Sequence, residues 1–514
     1  MSFLNVLIAG PLIFAALRIL RRTRDPGLEQ IPGPPSPSWL FGNMLQLFLP
    51  PYGTYDDLWR KNYGSVYRYQ GSFGRDCLLI SDPVALQHVL NSHNGEFELA
   101  PIFDTLFRWL FGDRNMAVLK GTEHRAVRTA WNSAFTAGAV RQYQPILEKI
   151  AHEISERLDK TEAASIDMCP LLSRATVRST TEVVFGCHVE DLGADFLKSN
   201  SSIMASSATQ SPTQILIDEL GTLLPPWLFR QKIRLPITAS KALRKHVELA
   251  EAEGWKLVNE KTHAAKEGHG SGVDVYSNLL RLDTNKAIKP DDIVAQTSVM
   301  MIGGEDTTAY TLVWSLYELA RNPELQSALR AEIHERPRTN RGEVAYDNMP
   351  LLNATIKETL RMYPIRPWTY RMASKDTFIP LSQKVVSTTG ERLDRIFVKK
   401  GQPITLGFAA YQKLESRWGA DSEEFNPSRW IENRVPQSDA ISPYANLLAF
   451  SGGPHACVGW RLAILEMQVI LTEIIDKYTF HLSEAEPIEP RYMTNLMPTD
   501  KEGMKRAVFR VERV

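Results

Sequence analysis

Cys457 lies in a short segment that could present a single sulfur to a metal ion. The segment reads F-S-G-G-P-H-A-C-V-G at positions 450–459. Its glycines allow backbone angles and close approaches that a side chain would forbid. An apolar helical pattern begins directly behind the cysteine, so unpaired N–H groups and the positive end of a helix dipole would stabilise a thiolate. Such a loop can offer a thiolate to iron, although a cysteine in a glycine-rich turn can also be an ordinary small buried residue.

The second candidate for chemistry is the run G-G-E-D-T-T at positions 303–308, inside a long helical pattern at 294–319. Two adjacent glycines within a helix cost about 1 kcal/mol each relative to alanine. A helix that accepts this cost can bring its backbone close to something flat or small. Asp306 and Thr307 would then present a carboxyl and a hydroxyl to that space. A kinked helix with a solvated acid is the simpler alternative.

Several charged residues could support these two motifs. Glu358 and Arg361 are three residues apart on a predicted helix and can pair, although most such pairs are surface contacts worth about 0–1 kcal/mol. Arg429 follows in the segment F-N-P-S-R-W at 425–430. The remaining candidates are cationic or titratable side chains in short motifs: His124, Arg128, Arg371 and His455. For the motif that holds the first two, a basic helix face formed by Arg125 and Arg128 is the simpler alternative.

In this order and spacing, the motifs resemble those of the cytochrome P-450 family over roughly residues 31–510. The cysteine segment is similar to the family pattern F-x-x-G-x-R/H-x-C-x-G, and the glycine pair to A/G-G-x-D/E-T-T. E-x-x-R and F-x-P-x-R-W complete the likeness, which is closest to microsomal eukaryotic members, fungal ones especially. The resemblance implies that Cys457 is the axial thiolate ligand of a haem b, iron protoporphyrin IX.

The same resemblance implies roles for the other residues. Thr307 would orient dioxygen and waters, and Asp306 would help to relay protons. Glu358, Arg361 and Arg429 would form a structural network behind the thiolate loop. The haem propionates would be met by the following side chains: His124, Arg128, Arg371 and His455. Two of these depart from the family, because His124 replaces a tryptophan and His455 an arginine; a histidine contact is weaker or pH-sensitive.

Composition excludes some classes of function. The chain has 514 residues, of which 43% are hydrophobic and 23% charged, and it carries 59 residues of each sign. A net charge of zero gives no basic surplus to attract a phosphate backbone, so nucleic-acid binding is not expected. Four widely spaced cysteines suggest neither a disulfide framework nor a zinc site. Reduced thiols facing the cytosol are the simpler interpretation.

The N-terminus is predicted to be a membrane anchor, residues 1–24. Residues 3–20 are apolar except for Asn5 and Arg18, and a helix of that length spans about 27 Å, enough for a thin bilayer. Basic residues follow this stretch and none precede it, which is the reverse of a secretory signal and keeps the long domain cytoplasmic. We therefore expect a single-pass protein of the endoplasmic reticulum membrane. A cleaved signal and an interfacial helix are the alternatives.

Beyond the anchor, residues 25–37 form a proline-rich hinge, with four prolines in the six positions from 32 to 37, and residues 38–514 form one catalytic domain. Helical patterns outnumber strand patterns, so we predict a mainly α fold with small β-sheets, as in cytochrome P-450, preceded by one transmembrane helix. The predicted helices are 83–92, 122–135, 139–160, 168–186, 239–265, 293–323, 324–335, 350–362 and 458–477. The predicted strands are 65–70, 77–80, 377–380, 396–399, 478–482 and 506–513, with a basic, flexible segment at 384–395.

The expected activity is that of a monooxygenase of the EC 1.14 type, which inserts one oxygen atom from O2 into a small apolar substrate by hydroxylation or epoxidation. Fungal secondary metabolism, such as terpenoid biosynthesis, is a suitable setting. The resemblance implies electrons from NADPH through a separate, membrane-bound P-450 reductase, with cytochrome b5 as an optional donor. Substrate-facing regions are expected at 95–120, 200–235, the helix before Gly303, and 365–368. The alternatives are an isomerase or dehydratase of the same fold acting on a peroxide, and a non-enzymatic haem protein; a cysteine hydrolase lacks an orienting third group.

Overall fold

The computed structural model describes residues 28–514 except for 93–94, 162–164, 207–210, 235–237, 268–271, 284–287, 341 and 436–439. The predicted anchor at 1–24 and the first residues of the hinge lie outside the described residues. Within the part of the chain that is described, no helix combines the length and apolar character that crossing a bilayer requires. The anchor therefore stays a prediction.

The described residues are mainly helical, as predicted. The first helices are α1 (Met44–Phe48), α2 (Asp56–Tyr63), α3 (Pro83–Leu90), α4 (Pro101–Phe111), α5 (Gly121–Ala134), α6 (Ala137–Gln142), α7 (Gln144–Asp159) and α8 (Met168–Ser179). The next are α9 (Ala194–Ser206), α10 (Pro212–Leu223), α11 (Pro226–Gln231), α12 (Thr238–Lys266), α13 (Val275–Asp283), α14 (Pro290–Val294) and α15 (Thr297–Arg321). The last are α16 (Pro323–His334), α17 (Pro350–Met362), α18 (Phe408–Tyr411), α19 (Glu415–Trp418), α20 (Ser428–Ile431) and α21 (Trp460–Lys477).

Twelve strands form four small sheets within the described residues. A five-stranded sheet has the order β1 (Val66–Gly71), β2 (Arg75–Ile80), β8 (Pro403–Gly407), β5 (Trp368–Ala373), β3 (Phe97–Leu99), with only β2 and β8 parallel. A three-stranded sheet joins β4 (Ser165–Asp167), β12 (Val508–Arg513) and β9 (Tyr478–Leu482). Two hairpins complete the set: β6 (Thr377–Val386) with β7 (Arg392–Val398), and β10 (Glu489–Tyr492) with β11 (Leu496–Thr499).

Helix α15 runs through the centre of the molecule and is buried on most of its surface. The prediction of one helix over 293–323 was wrong at its start, because α14 ends at Val294 and α15 begins at Thr297. At its other end, the side chain of Asn322 accepts a hydrogen bond from the N–H of Leu325 and caps the following helix α16. Because most of α15 is buried, the core surrounds the helix that carries the glycine pair.

The predicted helix over 168–186 was also wrong in its last turns. Helix α8 ends at Ser179, and residues 180–185 continue as a π-helix that stops at Gly186 with a left-handed φ of 66°. A π-bulge of this kind widens one turn and often occurs near a functional site. Here it lies against α15, where a Cβ on Gly304 would collide with the Thr180 hydroxyl.

Residues 384–395 form part of a hairpin, which corrects the expectation of a flexible segment. Strands β6 and β7 pair from Thr377 with Val398 to Val386 with Arg392, with a bulge between Pro380 and Val385. The hairpin is fixed to the body because both carboxylate oxygens of Asp82 accept hydrogen bonds from the Ser382 N–H at 3.0 Å. Three consecutive polar residues at 382–384 interrupt the apolar pattern of β6, so only its first part, 377–380, was predicted as a strand.

Candidate functional site

The cysteine loop holds its shape by close backbone packing. The N–H of Cys457 donates to the carbonyl oxygen of Phe450 at 2.9 Å, which closes the loop ahead of helix α21. A Cβ on Gly452 would collide with the carbonyl oxygen of Ile441, and one on Gly453, whose φ is 68°, with that of Leu90. The glycines are therefore required by the space around the loop as well as by its turns.

The thiol of Cys457 is both accessible and deep. The residue is exposed to solvent, yet enough protein surrounds the sulfur that burial raises the pKa of the thiol. Two groups oppose this effect and lower the pKa, first the backbone N–H of Gly459 and then the positive charge of Arg128. These donors would stabilise a thiolate at the start of α21. A deep thiol that remains reachable has the position expected of a ligand to a buried cofactor.

Helix α15 presents bare backbone at Gly303. A Cβ on Gly303 would meet no atom within 4 Å, whereas Gly304 packs tightly against Thr180. The hydroxyl of Thr307 donates to the carbonyl oxygen of Gly303 at 2.9 Å and lies on the same partly open face. The two glycines thus have different purposes, since one opens a face of the helix and the other lets it approach its neighbour.

Asp306 lies on the other side of α15 and is only 3% exposed. Its carboxylate accepts hydrogen bonds from Lys505 at 2.9 Å, Tyr310 at 2.7 Å and Ser173 at 3.4 Å. Among the described residues no hydrogen bond joins Asp306 to the hydroxyl of Thr307. The structure therefore places the two predicted catalytic residues on adjacent positions of one helix but does not bring their side chains together.

Two further buried acids near α15 were missed by the sequence analysis. Glu305 accepts a hydrogen bond from Asn200 at 2.7 Å, and burial, with the neighbouring charge of Asp306, raises its pKa to about 7. Glu466 on α21 is 4% exposed, and burial raises its pKa to about 8. The position of Glu305 inside the G-G-E-D-T-T run could have indicated the first; the second reads as an ordinary polar residue of an apolar helix.

Glu358, Arg361 and Arg429 come together in one buried network. Arg361 makes a two-pronged contact with the carboxylate of Glu358 at 2.9 and 2.8 Å, and Arg429 Nε donates to the same carboxylate at 2.9 Å. All three are at most 1% exposed. The indole N–H of Trp430 also donates to Glu358 at 2.9 Å, a contact that the sequence analysis did not anticipate.

The network reaches the cysteine loop through Gln412. Arg361 donates to the carbonyl oxygen of Gln412 at 2.8 Å, and the side-chain amide of Gln412 donates back to the carbonyl oxygen of Arg361 at 2.9 Å. The side-chain oxygen of Gln412 accepts from the N–H of Ala449, one residue before the loop. The buried charges are thus compensated by one another and by backbone carbonyls, which is the condition for retaining them in a core.

The four predicted propionate contacts cluster beside the cysteine loop. The rings of His124 and His455 stack with centroids 4.0 Å apart. Burial lowers the pKa of His455 to about 3, to which a proton on His124 and the charges of Arg371 and Arg128 would contribute. Arg128 donates to the carbonyl oxygen of Ala456 in the loop. A cluster of two arginines and two histidines would be stabilised by an anion bound between them.

His124 and Arg371 show which atoms are available to such an anion. Nε2 of His124 is buried and has no hydrogen-bond partner among the described residues. Arg371 donates to the carbonyl oxygen of Tyr370 at 3.0 Å and to the Thr369 hydroxyl at 3.3 Å, and burial lowers its pKa to about 10. A half-buried cation that has no carboxylate partner among the described residues and a buried nitrogen without a hydrogen-bond partner fit the propionates of a haem, and the Cys457 thiol fits its iron.

Comparison with known proteins agrees with this geometry. The family model described as Cytochrome P450 matches residues 32–506. Cytochrome P450 monooxygenase 219 of Postia placenta is 30% identical over 94% of this chain and 94% of its own length. Cytochrome P450 monooxygenase 205 of the same fungus is 27% identical, over 93% of this chain and 91% of its own. The ganoderic acid synthetase of Ganoderma lucidum is 26% identical, with 94% and 93% covered.

Proposed function

The chain belongs to the cytochrome P450 family, and we propose that it inserts one oxygen atom from O2 into an apolar organic substrate, by hydroxylation or epoxidation. The family and the relatives' names make it an oxidoreductase of the monooxygenase type. The observation that carries the proposal is the Cys457 thiol, deep yet accessible, with Gly459 N–H and Arg128 placed to stabilise its anion.

A haem is implied by the family, and we propose that it is haem b. When bound, it supplies an iron that activates oxygen, and thiolate ligation favours cleavage of the O–O bond. Cys457 would hold the iron, and the propionates would be held by the residues of the cluster beside the cysteine loop: His124, Arg128, Arg371 and His455. His455 stacked on His124 replaces the guanidinium that the family usually has, so the contact depends on two neutral rings rather than on one fixed charge.

The chain's own contribution to the reaction is the handling of protons. We propose that the Thr307 hydroxyl, which donates to Gly303 at rest, holds a water and passes a proton at Oγ1 on the open face of α15. Asp306 would return a proton to that water; because its carboxylate is hydrogen-bonded to Lys505 and Ser173 on the other side of α15, its side chain would have to turn toward Thr307 to do so. General acid–base assistance of this kind is worth about 10²–10⁴ in rate.

Electrons are proposed to come from NADPH through a separate reductase, with cytochrome b5 as an optional second donor. A single-pass anchor at residues 1–24 would hold the protein in the endoplasmic reticulum membrane with its catalytic domain in the cytoplasm. The hinge supports this arrangement, since the carbonyl oxygens of Gln30 and Pro32 are already bonded to the body, by Thr388 N–H at 2.8 Å and Arg68 N–H at 3.0 Å.

The substrate is proposed to be an apolar molecule of fungal secondary metabolism, such as a terpenoid. Helix α4 supports this, because Phe103, Phe107 and Leu110 are half-buried on it, in a region predicted to face substrate. Helix α4 is tied to the central helix, since the Ser298 hydroxyl donates to the carbonyl oxygen of Leu110 at 2.9 Å. One relative is named for making ganoderic acid, and another, claW of Ampulloclitocybe clavipes, is named only as a monooxygenase.

The test is a carbon monoxide difference spectrum of the reduced protein, followed by turnover with NADPH, reductase and O2. Thiolate ligation predicts the far-shifted absorption band, and Cys457→Ser is expected to abolish it, whereas Cys77→Ser, at a buried cysteine outside the site, is expected to leave it unchanged. A normal band without NADPH- and O2-dependent products, together with rearrangement of an added hydroperoxide, would replace monooxygenation by the isomerase alternative.

A further inference from the structure

We infer that Arg366 binds a carboxylate of the substrate, so that the substrate is an apolar molecule with one acidic end. This inference rests on the proposed function and names the substrate class of the same site. Arg366 lies in the turn that joins α17, which carries Glu358 and Arg361, to strand β5, which carries Arg371. The turn is one of the regions that the sequence predicted to face substrate.

The surroundings of Arg366 place it where the predicted substrate-facing elements meet. Its guanidinium carbon lies 5.8 Å from the centre of the Phe107 ring on α4. Burial raises the pKa of the Tyr492 hydroxyl at the end of β10, and the positive charge of Arg366 partly opposes that rise. The turn itself is fixed to the β10–β11 hairpin, because the N–H of Leu496 donates to the carbonyl oxygen of Ile365 at 2.8 Å.

Arg366 is half-buried, and none of the described residues gives it a hydrogen bond or an ion pair. The one acidic residue of α4, Asp104, is not available to it. Asp104 already accepts from Arg108 at 3.0 Å and from Arg230 at 2.6 Å. A guanidinium that is partly removed from water, lies over an aromatic ring and has no hydrogen-bond partner among the described residues has unused donors. A carboxylate is the group whose geometry matches that planar fork.

The rest of the lining fits the apolar part of such a molecule. Phe103 stacks on Tyr370 with ring centres 4.5 Å apart, and Phe107 packs on Phe111 at 5.6 Å. These rings extend along α4 from the position of Arg366. A ligand with a hydrocarbon body and a carboxylate head would bury its body on the rings and pair its head with the arginine. An uncharged analogue would keep the first contact and lose the second.

The experiment measures binding by equilibrium dialysis to the haem-loaded protein. The probes are dodecanoic acid and dehydroabietic acid, each with its own methyl ester. The protein variants are wild type, Arg366→Gln, Arg366→Lys and the control Arg395→Gln. Arg395 is matched because it also lies over a phenylalanine ring, Phe378 at 4.8 Å, but its side chain is 65% exposed on the β6–β7 hairpin.

We expect wild type and Arg395→Gln to bind at least one acid about ten- to a hundredfold more tightly than its ester, as one charge-assisted contact provides. Arg366→Gln should remove that preference and leave ester binding within about twofold, and Arg366→Lys should keep part of it. The inference is overturned if no acid is preferred or if Arg366→Gln weakens acid and ester alike. Loss of haem from Arg366→Gln would also overturn it, since the arginine would then serve the cofactor. Failure of the proposed function would appear separately, as an absent carbon monoxide band.

Discussion

Lys505 Nζ lies 2.9 Å from Oδ1 of Asp306, although 199 residues separate them in the chain. The ammonium comes from the segment that leads into strand β12, and the carboxylate from the central helix. The acid that the sequence predicted as a proton relay is therefore neutralised by the C-terminal part of the protein. No sequence motif identifies Lys505 as the partner of Asp306, because it lies in a charged stretch without a recognisable pattern.

Replacing Lys505 by Met should destabilise the protein and impair proton delivery together. Asp306 would remain buried without its cation, and breaking a wholly buried pair costs about 3–5 kcal/mol. The loss should be smaller here because 28% of the Lys505 side chain is exposed. Urea unfolding of Lys505→Met, Asp306→Asn and the double variant measures the coupling, with the exposed Lys501→Met as control. Additive effects in the double variant would show that the pair contributes nothing.

Thr307→Ala should separate electron consumption from product formation. The hydroxyl on the open face of α15 is proposed to hold the water that delivers a proton, so its loss should release peroxide while NADPH is still consumed. Product per NADPH is expected to fall by about tenfold or more. Thr311→Ala is the matched control, since Thr311 lies one turn later and makes the same bond, to the carbonyl oxygen of Thr307 at 2.9 Å. Unchanged coupling in Thr307→Ala would remove its assigned role.

Much of the site was predictable because its key residues stand in short motifs. Glu358 and Arg361 are i and i+3 on a helix, so their pairing follows from helix geometry, and Arg429 was joined to them by resemblance. Lys505, Gln412 and Trp430 were not predictable, because they reach the site from loops and short helices whose positions depend on the whole fold. The stacking of His124 on His455 likewise depends on how α5 meets the cysteine loop.

The secondary structure was likewise predictable in some parts of the chain and not in others. Long helices such as α12 and α17 were predicted to within about one residue, because their apolar periodicity is strong. Strands β5 and β8 of the largest sheet were missed. They are short and are buried or half-buried along their length, so they lack the alternation that reveals a strand with one exposed face. The middle of the β6–β7 hairpin, residues 384–395, was mistaken for a flexible segment for the opposite reason, because most of its residues are exposed.

Trp430→Phe should weaken the buried network without breaking it. The indole N–H donates to Glu358 Oε2 at 2.9 Å, and losing a hydrogen bond to a charged group costs about 1.5–3 kcal/mol. The free energy of unfolding in urea should fall by that amount, and haem should be lost faster because the network supports the cysteine loop. Trp255→Phe is the control, since Trp255 is 39% exposed. Equal unfolding curves for the two variants would count against the contact.

His246 should make stability depend on pH. Burial lowers its pKa to about 4, and its Nε2 lies 2.9 Å from the Ser298 hydroxyl. Since the unfolded chain has the ordinary pKa near 6.5, it binds more protons than the folded protein between about pH 6.5 and 4. The stability that the neutral ring contributes is present above pH 6.5 and is lost as the pH falls through that window, by up to about 1.4 kcal/mol per pH unit. His246→Gln should flatten this part of the urea-midpoint profile between pH 7 and 5; a profile that stays as steep would exclude His246 as the cause.

Removing residues 1–24 should release the protein from membranes and leave its haem site intact. The described chain is already fixed to the body at Gln30, whose carbonyl oxygen accepts from the Thr388 N–H at 2.8 Å, and the Thr388 hydroxyl donates to the Glu29 carbonyl at 3.3 Å. We expect the shortened protein in the soluble fraction after a high-salt wash, with a normal carbon monoxide band. Removing residues 1–32 should in addition lower the midpoint of thermal unfolding, because the contacts to the β6–β7 hairpin are then lost. Retention in the membrane fraction would assign attachment to the body, and loss of the band on removing only 1–24 would make the anchor part of the fold.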